Sequence, residues 1–198
     1  HIPLGGLAGV LRNSLDAFSK QPYGFLKPQD FEIDIYKQWL GIFDGKTIGI
    51  AWRTTNRRNN HVRNIDLNVL VNAFKGENIR LVNLQYGDTS QDISAVQAEL
   101  GVQVLTHPSL DRFNDIDGLG ALMCACDSVV TIDNSTVHLA AALGVDTHLI
   151  LPHFPDWRWS YVDAGSPWYP GLNVYRQNAD FDWGDLLKQV VNQIRVPV

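Results

Sequence analysis

With 198 residues, 45% of them hydrophobic and 19% charged, the chain has the composition of one globular domain, or one and a fraction, able to bury a real core. Its net charge of −5 argues against general nucleic-acid binding. No apolar run approaches the roughly 20 residues of a membrane span, and no signal peptide is visible. Cys124 and Cys126 lie two apart on an expected helix; they read as reduced core thiols of a cytoplasmic protein, since Cys-x-Cys without further partners is weak grounds for a metal. The chain begins at His1 without a methionine, which reads as a fragment or a trimmed chain.

Residues 1–45 follow no regular alternation and are expected to be the remnant of a preceding domain plus a linker. Leu7 to Phe18 suits a short helix, and Gln21-Pro-Tyr-Gly-Phe-Leu-Lys-Pro28 an extended connector. Phe31 to Phe43 places Phe31, Ile35, Trp39 and Leu40 on one helical face. From Lys46 to the C-terminus strands and helices alternate: strand 47–52, helix 66–74, strand 79–84, helix 92–100, strand 102–105, helix 117–125, strand 128–132, a helix ending at Gly144, strand 147–151, strand 173–175 and helix 182–194. That pattern predicts an α/β domain over 46–198, a Rossmann-like doubly wound parallel sheet.

The stretch Asp127-Ser-Val-Val-Thr-Ile-Asp133-Asn134-Ser135-Thr136-Val137-His138 carries the strongest functional signal. Its β-branched run suits a strand buried on both faces, and Asp133-Asn-Ser135 is a polar turn of strong N-cap formers. Ligands of parallel α/β sheets bind at such a junction, where the first turn of a helix has free N–H groups and the positive end of the macrodipole. His138 falls one turn after Ser135 and faces the same way. The junction therefore suits a phosphorylated ligand; the plainer alternative is a capped helix with a structural histidine.

The loop after the first strand, Arg53-Thr-Thr-Asn-Arg57-Arg58-Asn-Asn-His-Val-Arg63, has no Gly-x-Gly-x-x-Gly, which counts against a standard NAD or FAD site. Its arginines suit phosphate oxygens, Arg53 first, then Arg57 and Arg58, with Arg63 mattering least; the alternative is a solvated basic loop. Gln85 and Gly87, after the second strand, are candidates for bonding a base or ribose and for close backbone approach, against a plain turn. Phe113, available for stacking, and Asp117, also the expected N-cap of the next helix, are further candidates for contacting a base or ribose. Asp115-Ile-Asp117 matches the Asp-x-Asp of metal-dependent sugar transferases, but two acids at a helix start are more simply a dipole effect. Three of the six tryptophans fall in the segment from Leu151 to Pro170, an aromatic loop suited to a sugar site, a domain interface or a satellite core.

Taken together, Ile48-Gly-Ile-Ala-Trp-Arg53, Leu84-Gln85-x-Gly87, Asp117-Gly118, Asp133-Asn-Ser-Thr-Val-His138-Leu-Ala-Ala-Ala-Leu-Gly144 and Pro155-Asp-Trp-Arg-Trp159 with Ser166-Pro-Trp-Tyr-Pro170 resemble one family. It is the C-terminal, donor-binding half of inverting GT-B glycosyltransferases similar to heptosyltransferases, nearest to bacterial members that follow tetratricopeptide repeats. Asn134 and Ser135 stand where heptosyltransferases commonly carry Ser or Thr then Gly, and arginines stand where a phosphate-binding lysine is expected. The resemblance implies a nucleotide-diphosphate sugar donor, with the acceptor (a glycan, lipid or protein) and the base supplied by an N-terminal half. Asp133 would contact the donor sugar, Asn134, Ser135 and Thr136 the diphosphate, and His138 the phosphates or sugar. No metal and no other cofactor is expected. A nucleotide-sugar epimerase of the same architecture and a non-catalytic binding module are the alternatives.

Overall fold

The computed structural model describes residue 3 and residues 6–55, 60–159 and 165–195, with residues 8, 60 and 61 described by their backbone alone. The elements run α1 Leu7–Leu11, a 3₁₀ turn Leu15–Phe18, α2 Asp30–Leu40, β1 Lys46–Ala51, α3 Asn60–Arg63, α4 Leu67–Phe74, β2 Ile79–Asn83, α5 Ser90–Leu100, β3 Val104–Leu105, α6 Ile116–Cys124, β4 Ser128–Ile132, α7 Ser135–Leu143, β5 Thr147–Leu151, a 3₁₀ turn Trp157–Trp159, β6 Asn173–Arg176 and α8 Gly184–Arg195. All six strands form one sheet in the order β3-β2-β1-β4-β5-β6, every neighbouring pair parallel. The α/β Rossmann-like architecture expected from the alternation is the one observed.

The sheet is wound on both faces because its central strands are apolar on both sides. Ile48 and Ile50 of β1, with Val130 and Ile132 of β4, point into a core completed by α4, α5 and α8 through Leu70, Val71, Phe74, Val96 and Leu187. Val82 and Val129 point the other way, against Leu119 and Leu122 of α6 and Ala140 of α7. Gly49 of β1 lies on this second face; a Cβ there would meet the Leu84 side chain at 2.3 Å. The strand order reverses between β1 and β4, which pair in register from Ile48↔Ser128 to Ala51↔Thr131. Their carboxyl ends therefore open a crevice, the position at which doubly wound sheets bind ligands.

The N-terminal region packs onto this domain. Tyr36 and Leu40 of α2 are buried in the α6 core. The connector before α2 serves the end of α7, whose last carbonyls have no intrahelical partner: the Leu26 N–H donates to the Ala142 carbonyl at 2.9 Å, and the Tyr23 hydroxyl to the Gly144 carbonyl at 2.7 Å. Gly144 closes α7 in the left-handed conformation, φ +75°, and a Cβ on it would sit 2.9 Å from the Gly24 Cα. Gly144→Ala is thus expected to cost about 1–2 kcal/mol for the left-handed backbone alone, and to loosen the connector. Urea unfolding, with proteolysis between residues 19 and 28, measures both; unchanged stability and unchanged cleavage would show that the contact carries no weight.

Two local expectations are corrected. Asp115, not Asp117, caps α6, its Oδ1 accepting the Gly118 N–H at 2.9 Å; Asp117 is an exposed residue of the first turn. The four-residue helix α3, with no apolar periodicity of its own, was not expected from the sequence. Cys126 is buried and its thiol is pushed up to about 12, burial being the main cause; Cys124 is half-buried, and neither forms a disulfide. No described helix is long and apolar enough to cross a membrane.

Candidate functional site

The crevice is built by residues that tie the ends of β1, β2 and β4 together. Gln85, just past β2, has no exposed surface; its Oε1 accepts the N–H groups of Trp52 at 3.0 Å and Arg53 at 2.9 Å, and its Nε2 donates to the Tyr86 carbonyl at 3.2 Å. Asn134, the N-cap of α7, accepts the Thr136 N–H at 2.9 Å on its Oδ1 and donates from Nδ2 to the Arg53 carbonyl at 3.3 Å. The end of β1 and the start of α7 are therefore held by side-chain amides in place of a glycine-rich turn.

Above them lies a cavity of 350 Å³ bounded by Tyr86, Arg112, Phe113, Ile116, Leu119, Ser135, Thr136 and Leu139. One end is the first turn of α7, where Ser135 is exposed and Thr136 buried. The other end is aromatic and aliphatic, with Phe113 67% exposed and its ring 6.2 Å from that of Tyr86. Arg112 reaches in from the β3–α6 loop, its Nε donating to the Gln85 carbonyl at 2.9 Å.

On the other flank of α7 a charged row sits over the ends of β4 and β5. Asp133 is 6% exposed, and its Oδ2 lies 3.4 Å from Arg63 Nη1 without the geometry of a hydrogen bond. Arg63 Nη2 lies 3.5 Å from Asp156 Oδ2, and Asp156 Oδ1 receives Arg158 at 2.7 Å. Burial alone would raise the Asp156 carboxyl, but the Arg158 hydrogen bonds and the two guanidinium charges outweigh it and hold the group below its ordinary range. Beside this row His138 stacks on the fully buried Trp159, ring centres 5.1 Å apart, and its Nδ1 lies 3.0 Å from the Tyr169 hydroxyl.

Burial chiefly, with a smaller contribution from Arg158, sets His138 below its ordinary value, against the pull of Asp133 and, more weakly, Asp156. A depressed folded value means that the contribution of neutral His138 to stability is complete above about pH 6.5, the unfolded value, and is lost as pH falls through the folded one. The ring is expected to titrate by NMR with a midpoint below 6.5, and the parent should lose stability relative to His138→Gln on acidification. A midpoint above 6.5 would mean that the carboxylates dominate instead.

Comparisons with known proteins bear on the fold. The structure is similar to E. coli ADP-heptose lps heptosyltransferase II, with a TM-score of 0.58 and 14% identity, over 85% of this chain and 52% of that one. It is also similar to E. coli heptosyltransferase WaaC with ADP, at 0.53 and 17%, over 81% and 48%. A glycosyl transferase family 9 structure from Veillonella parvula follows at 0.51 and 14%, over 83% and 45%. The fold is glycosyltransferase-like. By sequence, Protein FlbA of Caulobacter vibrioides is 25% identical over 197 residues, which are 97% of this chain and 32% of that protein. No family model matches. The chain thus spans about half the length of the solved structures and about a third of that curated relative.

Within this glycosyltransferase-like fold the expected site residues divide. Ser135, Thr136 and Phe113 line one cavity. Asp133 and His138 are outside that lining, in the charged row and the aromatic stack. The Asn134 N–H is donated to the Ile132 carbonyl at 2.9 Å and its side chain caps α7. Arg53 does not point into the crevice: its Nη1 pairs with Asp92 of α5 at 2.6 Å and its Nη2 donates to the Asp88 carbonyl. Gln85 is consumed by the backbone it ties, and Gly87 meets open space, its φ of +79° being the reason for a glycine. Arg57 and Arg58 lie outside the described residues. Arg63, expected to matter least, is the loop arginine that reaches a buried carboxylate.

Arg112 went unread; it had only a weak cue, a single arginine beside Phe113 in a loop at a ligand-facing edge. The satellite core, one of the readings of the aromatic segment, is present among its described residues: Trp159 packs with Leu172, Val137 and Leu149, and His138 stacks on it. Among the described residues no three His, Cys, Asp or Glu side chains converge as a metal site would.

Proposed function

We propose that this chain is the donor-binding unit of an inverting glycosyltransferase, corresponding to the C-terminal half of a GT-B enzyme of the heptosyltransferase kind. The observation that carries the reading is the cavity at the strand-order reversal, with the first turn of α7 at one end and an aromatic and aliphatic wall at the other. A nucleotide-diphosphate sugar matches both: base and ribose against Phe113 and the aliphatic wall, diphosphate at Ser135 and Thr136, sugar toward Asp133 and His138. In transfer the acceptor hydroxyl attacks the anomeric carbon, the bond from that carbon to the phosphate oxygen breaks, and the diphosphate departs with added negative charge. The first-turn N–H groups and dipole of α7 stabilise that charge, so the reaction runs without a divalent metal. Residues 46–198 form the donor domain and residues 1–45 join it to an N-terminal half that supplies acceptor and base, in a cytoplasmic bacterial protein with tetratricopeptide repeats.

The solved neighbours and the resemblance in the Asp133–Gly144 and Pro155–Trp159 blocks support this reading. A non-catalytic nucleotide-binding module is the second reading, favoured by the Arg63 contact that occupies Asp133. Calorimetry with nucleoside diphosphates tests binding, and NMR locates it: shifts are expected at Ser135 to His138, and ligands that shift only remote signals would move the site elsewhere. Turnover by the full-length protein, retained in EDTA, is expected of the enzyme and not of the module.

A further inference from the structure

We infer that Arg112 reads the nucleobase, and that the cavity selects a base with two adjacent hydrogen-bond acceptors, guanine or cytosine, over adenine and uracil. The inference rests on the donor-binding reading above and adds to it the class of nucleotide.

Arg112 is held at one end and open at the other. Its Nε is fixed to the Gln85 carbonyl at 2.9 Å, on a residue that is itself fully buried and bonded through both ends of its side chain. No described residue accepts from its two Nη groups. The neighbouring carboxylate of Asp111 is committed to its own turn, accepting the N–H of Phe113 at 2.9 Å, that of Asn114 at 3.1 Å and the Asn114 side chain at 2.7 Å. Partial burial holds the guanidinium below its ordinary value, with Asp111 opposing. Among the described residues no carboxylate lines the cavity, and the Tyr86 hydroxyl already receives the Thr55 N–H at 3.3 Å. The guanidinium therefore presents a pair of unanswered donors, and it does so beside Phe113, Ile116, Leu119 and Leu139, the apolar end suited to a base.

A guanidinium donates and never accepts, so its paired Nη groups match an edge that offers two acceptors side by side. Guanine offers O6 with N7, and cytosine offers O2 with N3. Adenine sets its amino group next to N7 and next to N1, placing a donor against a donor. Uracil sets its N3–H between its two carbonyls, with the same conflict. In a partly dry site such a mismatch leaves polar groups unpaired, and the discrimination expected of one good bidentate pair is roughly tenfold to a hundredfold in affinity.

The test is calorimetry of GDP, CDP, ADP, UDP and inorganic pyrophosphate on the parent, Arg112→Gln and Arg112→Lys. The parent should bind GDP and CDP at least about tenfold tighter than ADP and UDP. A glutamine presents one donor and one acceptor and pairs with adenine, so Arg112→Gln should gain ADP affinity while losing GDP affinity, an outcome that misfolding cannot produce. Arg112→Lys keeps a donor-only charge without the planar fork; it should bind pyrophosphate like the parent and keep a weakened base preference. Equal affinity of the parent for all four nucleotides overturns the selectivity and leaves the donor-binding reading standing. Loss of pyrophosphate binding in step with GDP would make Arg112 a phosphate ligand and overturn its role as reader. Failure of every nucleotide to bind the parent defeats both.

Discussion

Arg63→Ala is expected to destabilise the protein by about 3 kcal/mol, the scale on which removing one partner strands a buried charge. Asp133 is almost wholly buried, its Oδ2 has no hydrogen bond among the described residues, and Arg63 lies 3.4 Å from it. Arg63 also spans to Asp156, so its loss leaves Asp156 with Arg158 as its partner among the described residues and Asp133 with none. Neutralising the stranded acid should restore much of the loss: Arg63→Ala combined with Asp133→Asn is expected to be more stable than Arg63→Ala alone. Urea unfolding of the four proteins of that cycle measures the coupling. If the single arginine variant unfolds within about 0.5 kcal/mol of the parent, Asp133 draws its compensation from water and the row is not a structural unit.

The contrast with Arg53 shows what a sequence conveys about such a site. Both arginines lie in one basic loop, and nearness to the end of β1 makes Arg53 the natural choice for a ligand. Its guanidinium is taken by Asp92, an acid of α5 separated from it by 39 positions, and no local pattern records that pairing. Arg63, the last residue of the unforeseen helix α3, reaches Asp133; four residues without periodicity give no sign of that helix. Asp115 and Asp117 are chemically equal candidates for the α6 cap, and only backbone geometry distinguishes them. The sheet, by contrast, was legible. Ser128–Ile132 and Thr147–Leu151 are short apolar runs bounded by turns, the pattern of parallel strands buried on both faces, and each strand lies where its run does. The junction after β4 was legible in part: Asp133-Asn-Ser135 reads as a turn of cap formers between a strand and a helix that stops at Gly144, and only the structure shows that Asn134 is the residue that caps. Periodicity and capping are local; the aim of a long side chain is not.

Gln85 extends that point to stability, because the residue read as a ligand contact is what holds the crevice together. Gln85→Met keeps nearly the same volume and removes the amide. The Trp52 and Arg53 N–H groups would then lose their shared acceptor, and the Tyr86 carbonyl its donor. An unsatisfied buried backbone group costs about 1–3 kcal/mol, so a total loss of about 2–5 kcal/mol is expected, reduced where water can enter beside the half-exposed Arg53. The effect should spread along named bonds. Freed from Gln85, the end of β1 no longer fixes the Arg53 carbonyl that accepts from Asn134, and the cap of α7 loosens with it. Amide exchange should therefore accelerate first at Trp52 and Arg53 and then at Thr136, while Val130 in the middle of β4 changes only with global unfolding. Nucleotide affinity should fall in the same variant, since the first turn of α7 and the anchor of Arg112 both depend on this end of the sheet. A Gln85→Met protein with the stability of the parent and unchanged exchange at Thr136 would show that β1 and α7 are held by packing alone, and that the amide is free for a ligand after all.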